Sequence, residues 1–139
     1  MTRISKMFEI LEEYISLRQN IYGAIQAQNS PLVAELNARK HLLINVLFSY
    51  LSIREHDHFQ TNIQKIISGV SEGCKSQDMK NYISLGHKQP YFSCLEKQKN
   101  DIKNFIEENL VKSVTLIETD DGFIICNGEF YHGVCHEYL

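Results

Sequence analysis

The sequence predicts an α+β fold, in which a bundle of four or so helices, begun by a long antiparallel helical hairpin, is closed by a C-terminal three-stranded antiparallel β-meander. Three observations predict it. Apolar residues recur at helical spacing through the first half of the chain, the period shortens to two after residue 113, and the charge balance changes at the same place. With 139 residues and 16.1 kDa, the chain has the length of one domain, 1–139, divided into a helical part (1–112) and an acidic β part (113–139).

The first helix is written in Ile4, Phe8, Leu11, Ile15, Tyr22 and Ile25, which step by four and three apart from a gap held by Arg18. "NSP" at 29–31 then reads as a stop and restart, with Ser30 as N-cap and Pro31 at the first helical position. The second helix repeats the rhythm in Leu32, Leu36, Leu43, Val46, Tyr50 and Ile53, with Arg39 in the corresponding gap. Two such stripes on a short connector form a helical hairpin. Beyond Ile53, "REHDHFQ" either continues this helix or, with Asp57 and Gln60 as a capping box, starts a third. Phe59, Ile63, Ile66, Ile67 and Val70 keep helical spacing in both cases.

The glycine-bearing stretch 68–76 reads as a loop, and a short helix over 77–85 ends at Gly86, with Pro90 barring its continuation. Phe92, Leu95, Ile102, Phe105, Ile106 and Leu110 mark a last amphipathic helix. "SVTLIE", "FIIC" and "EFYHGVCHEY" then read as three strands joined by turns at Thr119–Gly122 and Asn127–Gly128. Near-copies of one pentapeptide, "YISLR" at 14–18, "YLSIR" at 50–54 and "YISLG" at 82–86, suggest a helical repeat. The third copy stops at Gly86 instead of opening a helix pair, so the shared pattern is that of amphipathic packing faces.

Charge narrows the function. The first sixty residues balance, residues 61–112 carry a net +2, and residues 113–139 carry Glu118, Asp120, Asp121, Glu129 and Glu137 without a Lys or Arg. An acidic end repels phosphate and attracts basic surfaces, so the expected partner is another protein, a basic one, and not nucleic acid. The longest uncharged apolar run, "HLLINVLFSYLSI", is too short to span a bilayer, and the N-terminal residues do not form a signal-peptide h-region. Cytoplasmic localisation with reduced thiols at Cys74, Cys94, Cys126 and Cys135 is the corresponding expectation.

Candidate chemistry is sparse. Cys126, His132, Cys135 and His136 offer metal-ligand types, but a flat hairpin would hold Cys126 and Cys135 about 20 Å apart at ~3.3 Å per residue, so no metal or other cofactor is expected. No glycine-rich phosphate loop or nucleophile elbow is present. Arg54 and His58, four apart on one helix face, resemble the active-site pair of the HEPN ribonucleases, which are helical bundles. The resemblance implies a ribonuclease centred on those two residues, although the family separates its pair by more residues than here. Arg18 and Arg39 interrupt the two stripes on either side of the hairpin turn and form a candidate anion-binding pair, with snorkelling to the rim as the alternative.

The leading functional reading is a non-catalytic binding protein that masks another protein, in the manner of a bacterial or viral inhibitor such as an immunity protein or counter-defence factor. Asp120, Asp121, Glu129, Tyr131 and Tyr138 are its candidate contacts, because aromatic anchors in an acidic field suit a basic target. The last strand, an open edge, is a candidate homodimer contact. Two alternatives stand beside this reading: a secretion- or flagellar-type chaperone binding through helix grooves, and the ribonuclease.

Overall fold

The computed structural model describes residues 3–69, 71–110, 115–120, 122–126, 128–131 and 134–137. Five helices make up the body: α1 (Arg3–Gln26), α2 (Ser30–Ser49), α3 (Ile53–Ile67), α4 (Ser76–Leu85) and α5 (Lys88–Asn109). α1 lies between α2 and α5 and touches both far more than they touch each other. Met7, Leu11, Leu47, Ile63, Leu95, Ile102 and Ile106 are fully buried, so the main core draws on α1, α2, α3 and α5. A smaller cluster of Leu17, Ile21, Ala24 and Leu36 sits between α1 and α2 toward the hairpin turn.

The fold class is therefore corrected from α+β to an all-α body of five helices, and among the described residues no three-stranded meander is seen. Thr115–Thr119 and Gly122–Cys126 pair as one antiparallel hairpin, while Gly128–Tyr131 and Val134–Glu137 pair as a second. The reason lies at the expected Asn127–Gly128 turn. The second segment ends at Cys126 and the third starts at Gly128, so one residue separates them, too few for a two-residue hairpin reversal. Each segment instead closes locally on its other neighbour.

The helix ends correct further expectations. Asn29, not Ser30, caps α2: its side chain accepts a hydrogen bond from the Leu32 N–H at 3.2 Å, which leaves Ser30 inside the helix. The tight reversal before it places Gln28 at φ 56°. α2 does not continue past Ser49, and α3 starts at Ile53 without using Asp57 and Gln60. Glu55, three residues after Ser52, accepts the Ser52 N–H at 2.9 Å and closes the helix start five residues earlier than Asp57–Gln60 would. α4 ends as expected at Gly86, whose φ of 68° places it in the left-handed region that favours glycine.

Cys74 and Cys94 form a disulfide with Cα atoms 5.5 Å apart, correcting the expectation of reduced thiols at these two positions. Spacing could not announce it: the bond joins a loop to α5 only because the backbone at Gly69 and at Cys74 comes together. The Ser76 hydroxyl donates to the Ser68 carbonyl at 2.6 Å, and the Tyr82 hydroxyl donates to the Gly73 carbonyl at 2.8 Å. Gly69, at φ 72°, lies so close to the Cys74 backbone that an added Cβ would collide with the Cys74 carbonyl oxygen. Gly69→Ala is thus expected to cost about 2 kcal/mol, combining left-handed strain with displacement of the loop. Urea denaturation of the variant checks this; an unchanged midpoint would mean that the loop does not hold this approach.

Candidate functional site

Because α1 is flanked by α2 and α5, its exposed strip becomes the floor of a groove. A cleft of about 610 Å³ opens there. Tyr22, Gly23 and Gln26 of α1 line it, with Leu32 and Leu36 on the α2 wall and Lys88 and Phe92 on the α5 wall. The aromatic residues fix one another: Tyr22 stacks on Tyr91 with ring centroids 5.3 Å apart, and meets Phe92 edge-on at 5.6 Å. Lys88 sits over the Phe92 ring at 5.3 Å. Among the described residues, no Asp or Glu lines the cleft.

Gly23 explains the depth of that floor. In a helix interior glycine is destabilising by roughly 0.5–1 kcal/mol relative to alanine, so its presence asks for a packing reason. None comes from the protein itself, since a Cβ built at Gly23 meets nothing within 4 Å. The missing side chain leaves the cleft open.

Two cations, Arg18 and Lys40, lie one helical turn from cleft residues along α1 and α2 without lining the cleft themselves. Arg18 lies four residues before Tyr22 on α1, and Lys40 lies four residues after Leu36 on α2. Arg18 is half-buried: Nη1 donates to Gln98 Oε1 at 2.5 Å, its guanidinium lies 5.8 Å from the Tyr14 ring centroid, and it reaches the Tyr91 hydroxyl. Gln98 is only 3% exposed, and its Nε2 donates to Met79 Sδ, which fixes the amide with its oxygen toward Arg18. Burial raises the pKa of Tyr14 and of Tyr91, against the opposing pull of Arg18, so both remain neutral phenols. Lys40 is half-buried as well. Desolvation first, and the Arg18 charge second, hold its pKa below the usual lysine value.

The other residues singled out in the sequence fall elsewhere. Arg39 lies exposed on α2, and the cation that shares Arg18's surroundings is Lys40. His58 is exposed on α3 against the Phe105 ring, at a centroid distance of 5.6 Å, with its Nδ1 3.3 Å from Asn62 Nδ2. The Arg54 side chain is outside the described residues. Asp120 is exposed after the first hairpin strand, while Asp121, Tyr138 and the side chains of Glu129 and Tyr131 lie outside the description. So do the side chains of Cys126, His132, Cys135 and His136, and among the described residues no His, Cys, Asp and Glu cluster could hold a metal. No described helix is long and apolar enough to cross a membrane.

Lys40, Tyr91, Gln98 and Gly23 went unread in the sequence, because their surroundings are made by pairings up to 80 residues apart. A usable signal was present in Gly23, a helix-interior glycine beside the Tyr22 stripe position. Compared with known families, with curated proteins and with solved structures, the chain matches none of them.

Proposed function

We propose that this chain is a non-catalytic binding protein that masks or carries another protein by seating one of its segments in the groove between α2 and α5. The open floor at Gly23 is the observation that carries the reading: a helix accepts glycine there at a cost, and the space it leaves is walled by Tyr22, Leu32, Leu36 and Phe92. Apolar walls with a polar rim suit an amphipathic helix or an extended segment laid lengthwise. Among the described residues no carboxylate lines the cleft while Lys88 does, which supports an acidic segment over a basic one.

A second reading, recognition of a basic protein through the acidic residues after 113, rests on the charge of that end alone. Full-length protein used as bait against the native host's lysate separates the two. Gly23→Leu, which fills the groove from its floor, is expected to abolish capture of a stoichiometric partner. Truncation of residues 113–139 is expected to leave capture intact. The reverse pattern, with capture surviving Gly23→Leu and lost on truncation, would move recognition to the acidic end. Cytoplasmic localisation would keep Cys74 and Cys94 as thiols, whereas their disulfide supports an oxidising setting.

A further inference from the structure

Between the two ends of the Cys74–Cys94 disulfide lie all of α4 and the start of α5, from Lys88 to Ser93. Lys88 and Phe92 of that segment wall the cleft, and Tyr91 stacks on the cleft-lining Tyr22. A second tie reaches the cleft from α4: Gln26, a lining residue of α1, donates through Nε2 to the Ile83 carbonyl at 2.8 Å. The crosslinked segment therefore meets the cleft at two places. Without the crosslink it is weakly held. α4 has 10 residues, fewer than the about 12–15 that an isolated helix needs in water. Met79 alone of α4 is fully buried, while Tyr82 and Ile83 are half-buried and Leu85 is exposed. The two sulfurs also differ in access, since Cys94 is 3% exposed and Cys74 is only half-buried.

We infer that this disulfide is a redox switch for the cleft: the oxidised chain holds the α5 wall and Gln26 in the binding arrangement, and reduction releases both, and with them the occupant. The switch rests on the groove reading above and adds its regulation. The reductant is a dithiol. One of its thiolates attacks the accessible Cys74 sulfur, the Cys74–Cys94 bond breaks, and Cys94 leaves as a thiolate that takes up a proton. The reductant's second thiolate then attacks its own sulfur in the mixed disulfide, and Cys74 leaves and is protonated in turn. Two electrons pass to the chain, which gains two thiols, while the reductant departs as a disulfide. The Gly73 carbonyl lies 3.6 Å from Cys94 Sγ and also accepts the Tyr82 hydroxyl at 2.8 Å. The anchor of α4 and the buried sulfur thus meet at one carbonyl. Loss of the bond frees that anchor, and local opening then spreads through α4 to the Ile83–Gln26 contact at the cleft.

Amide chemical shifts of the full-length protein, recorded oxidised and then with dithiothreitol, read the cleft directly. On reduction the amides of Gly23 and Gln26 on α1 are expected to shift or broaden together with those of Tyr91 and Phe92, while those of Leu47 on α2 and Ile63 on α3 hold their positions. Shifts confined to the neighbours of Cys74 and Cys94, with Gly23 and Gln26 unmoved, would overturn the switch and leave a purely structural crosslink. Shifts spread evenly over all helices would overturn it as well, since they report a general loss of stability. Cys74→Ala/Cys94→Ala is expected to give the reduced pattern with or without dithiothreitol, and Cys74→Ser/Cys94→Ser repeats the comparison should alanine perturb the fold. On full-length bait, dithiothreitol is expected to speed release of a captured partner by about tenfold or more, and the double variant to release it at the fast rate in either condition. An unchanged release rate would overturn the switch and leave the groove standing, because loss of capture in Gly23→Leu does not depend on it. Absence of capture by the oxidised parent would remove the groove reading and the switch with it.

Discussion

Reduction of the Cys74–Cys94 disulfide is expected to lower the unfolding free energy by about 3 kcal/mol and the melting temperature by roughly 10–15 °C. The cysteines are 20 residues apart, and the loop-closure entropy removed from an unfolded chain by a crosslink of that length sets the magnitude. Inside the closed loop lies α4, the shortest helix, which is held otherwise by Met79 in the core and the Tyr82 hydroxyl on Gly73. Losing the crosslink therefore falls mainly on α4 and the 68–75 loop. Because Met79 Sδ receives the Gln98 amide, it also loosens the residue that orients Arg18. Thermal unfolding with and without a phosphine reductant measures the effect, and the Cys74→Ala/Cys94→Ala double variant should melt like the reduced protein and ignore the reductant. A parent melting temperature that does not respond to reductant would show that the two sulfurs are not joined in solution.

The parts of this architecture that were legible in the sequence are those that local chemistry dictates. The α1 stripe is a clear case: Leu11, Ile15 and Tyr22 are buried as their spacing requires, and Gly86 ends α4 in the conformation its residue type favours. The α2 stripe was read with less success. Its expected member Leu36 is buried, but Leu32 and Ile53 are 36% and 97% exposed, and Ile44, Leu47 and Phe48 carry the rest of the burial. The register drifted because the chain breaks at Tyr50–Ser52, so Ile53 opens α3 and no longer shares α2's face. Everything that makes the groove is long-range. Arg18 looked like a gap in a stripe, and only the approach of α5 shows that Gln98 fills it. The disulfide was equally hidden, since four cysteines without a diagnostic spacing admit several pairings.

Breaking the Arg3–Glu55 ion pair is expected to cost about 3–5 kcal/mol when one partner is removed and far less when both are replaced by apolar residues. Arg3, at the start of α1, is 3% exposed, and its Nη1 donates to Glu55 Oε1 at 2.6 Å and to the Tyr50 carbonyl at 3.2 Å, while Nη2 donates to Glu55 Oε2 at 3.2 Å. The pair thus ties the first turn of α1 to the first turn of α3 and to the end of α2. Glu55→Gln leaves a buried guanidinium without its charge partner, which is the costly outcome. In Arg3→Met/Glu55→Leu both desolvation penalties disappear. Arg3 Nε, which has no hydrogen-bond partner among the described residues, no longer has to be buried at all. Urea denaturation of Arg3→Met, of Glu55→Leu and of the double variant gives the coupling directly, and strictly additive single costs would refute an interacting pair.

Acid adds an independent reading of the same bond. Burial works to raise the Glu55 pKa, but the Arg3 hydrogen bonds and charge, together with the Ser52 N–H, outweigh it and hold the carboxyl below its ordinary value. A depressed carboxyl stabilises the fold above its unfolded pKa of about 4.3, and that contribution is lost as pH falls through the lower folded value. The parent should therefore lose stability steeply as pH falls below about 4, and the apolar double variant should lose less over the same range. The remaining slope then belongs to groups such as Glu12, whose hydrogen bond to Lys103 also lowers its pKa but whose side chain is half exposed.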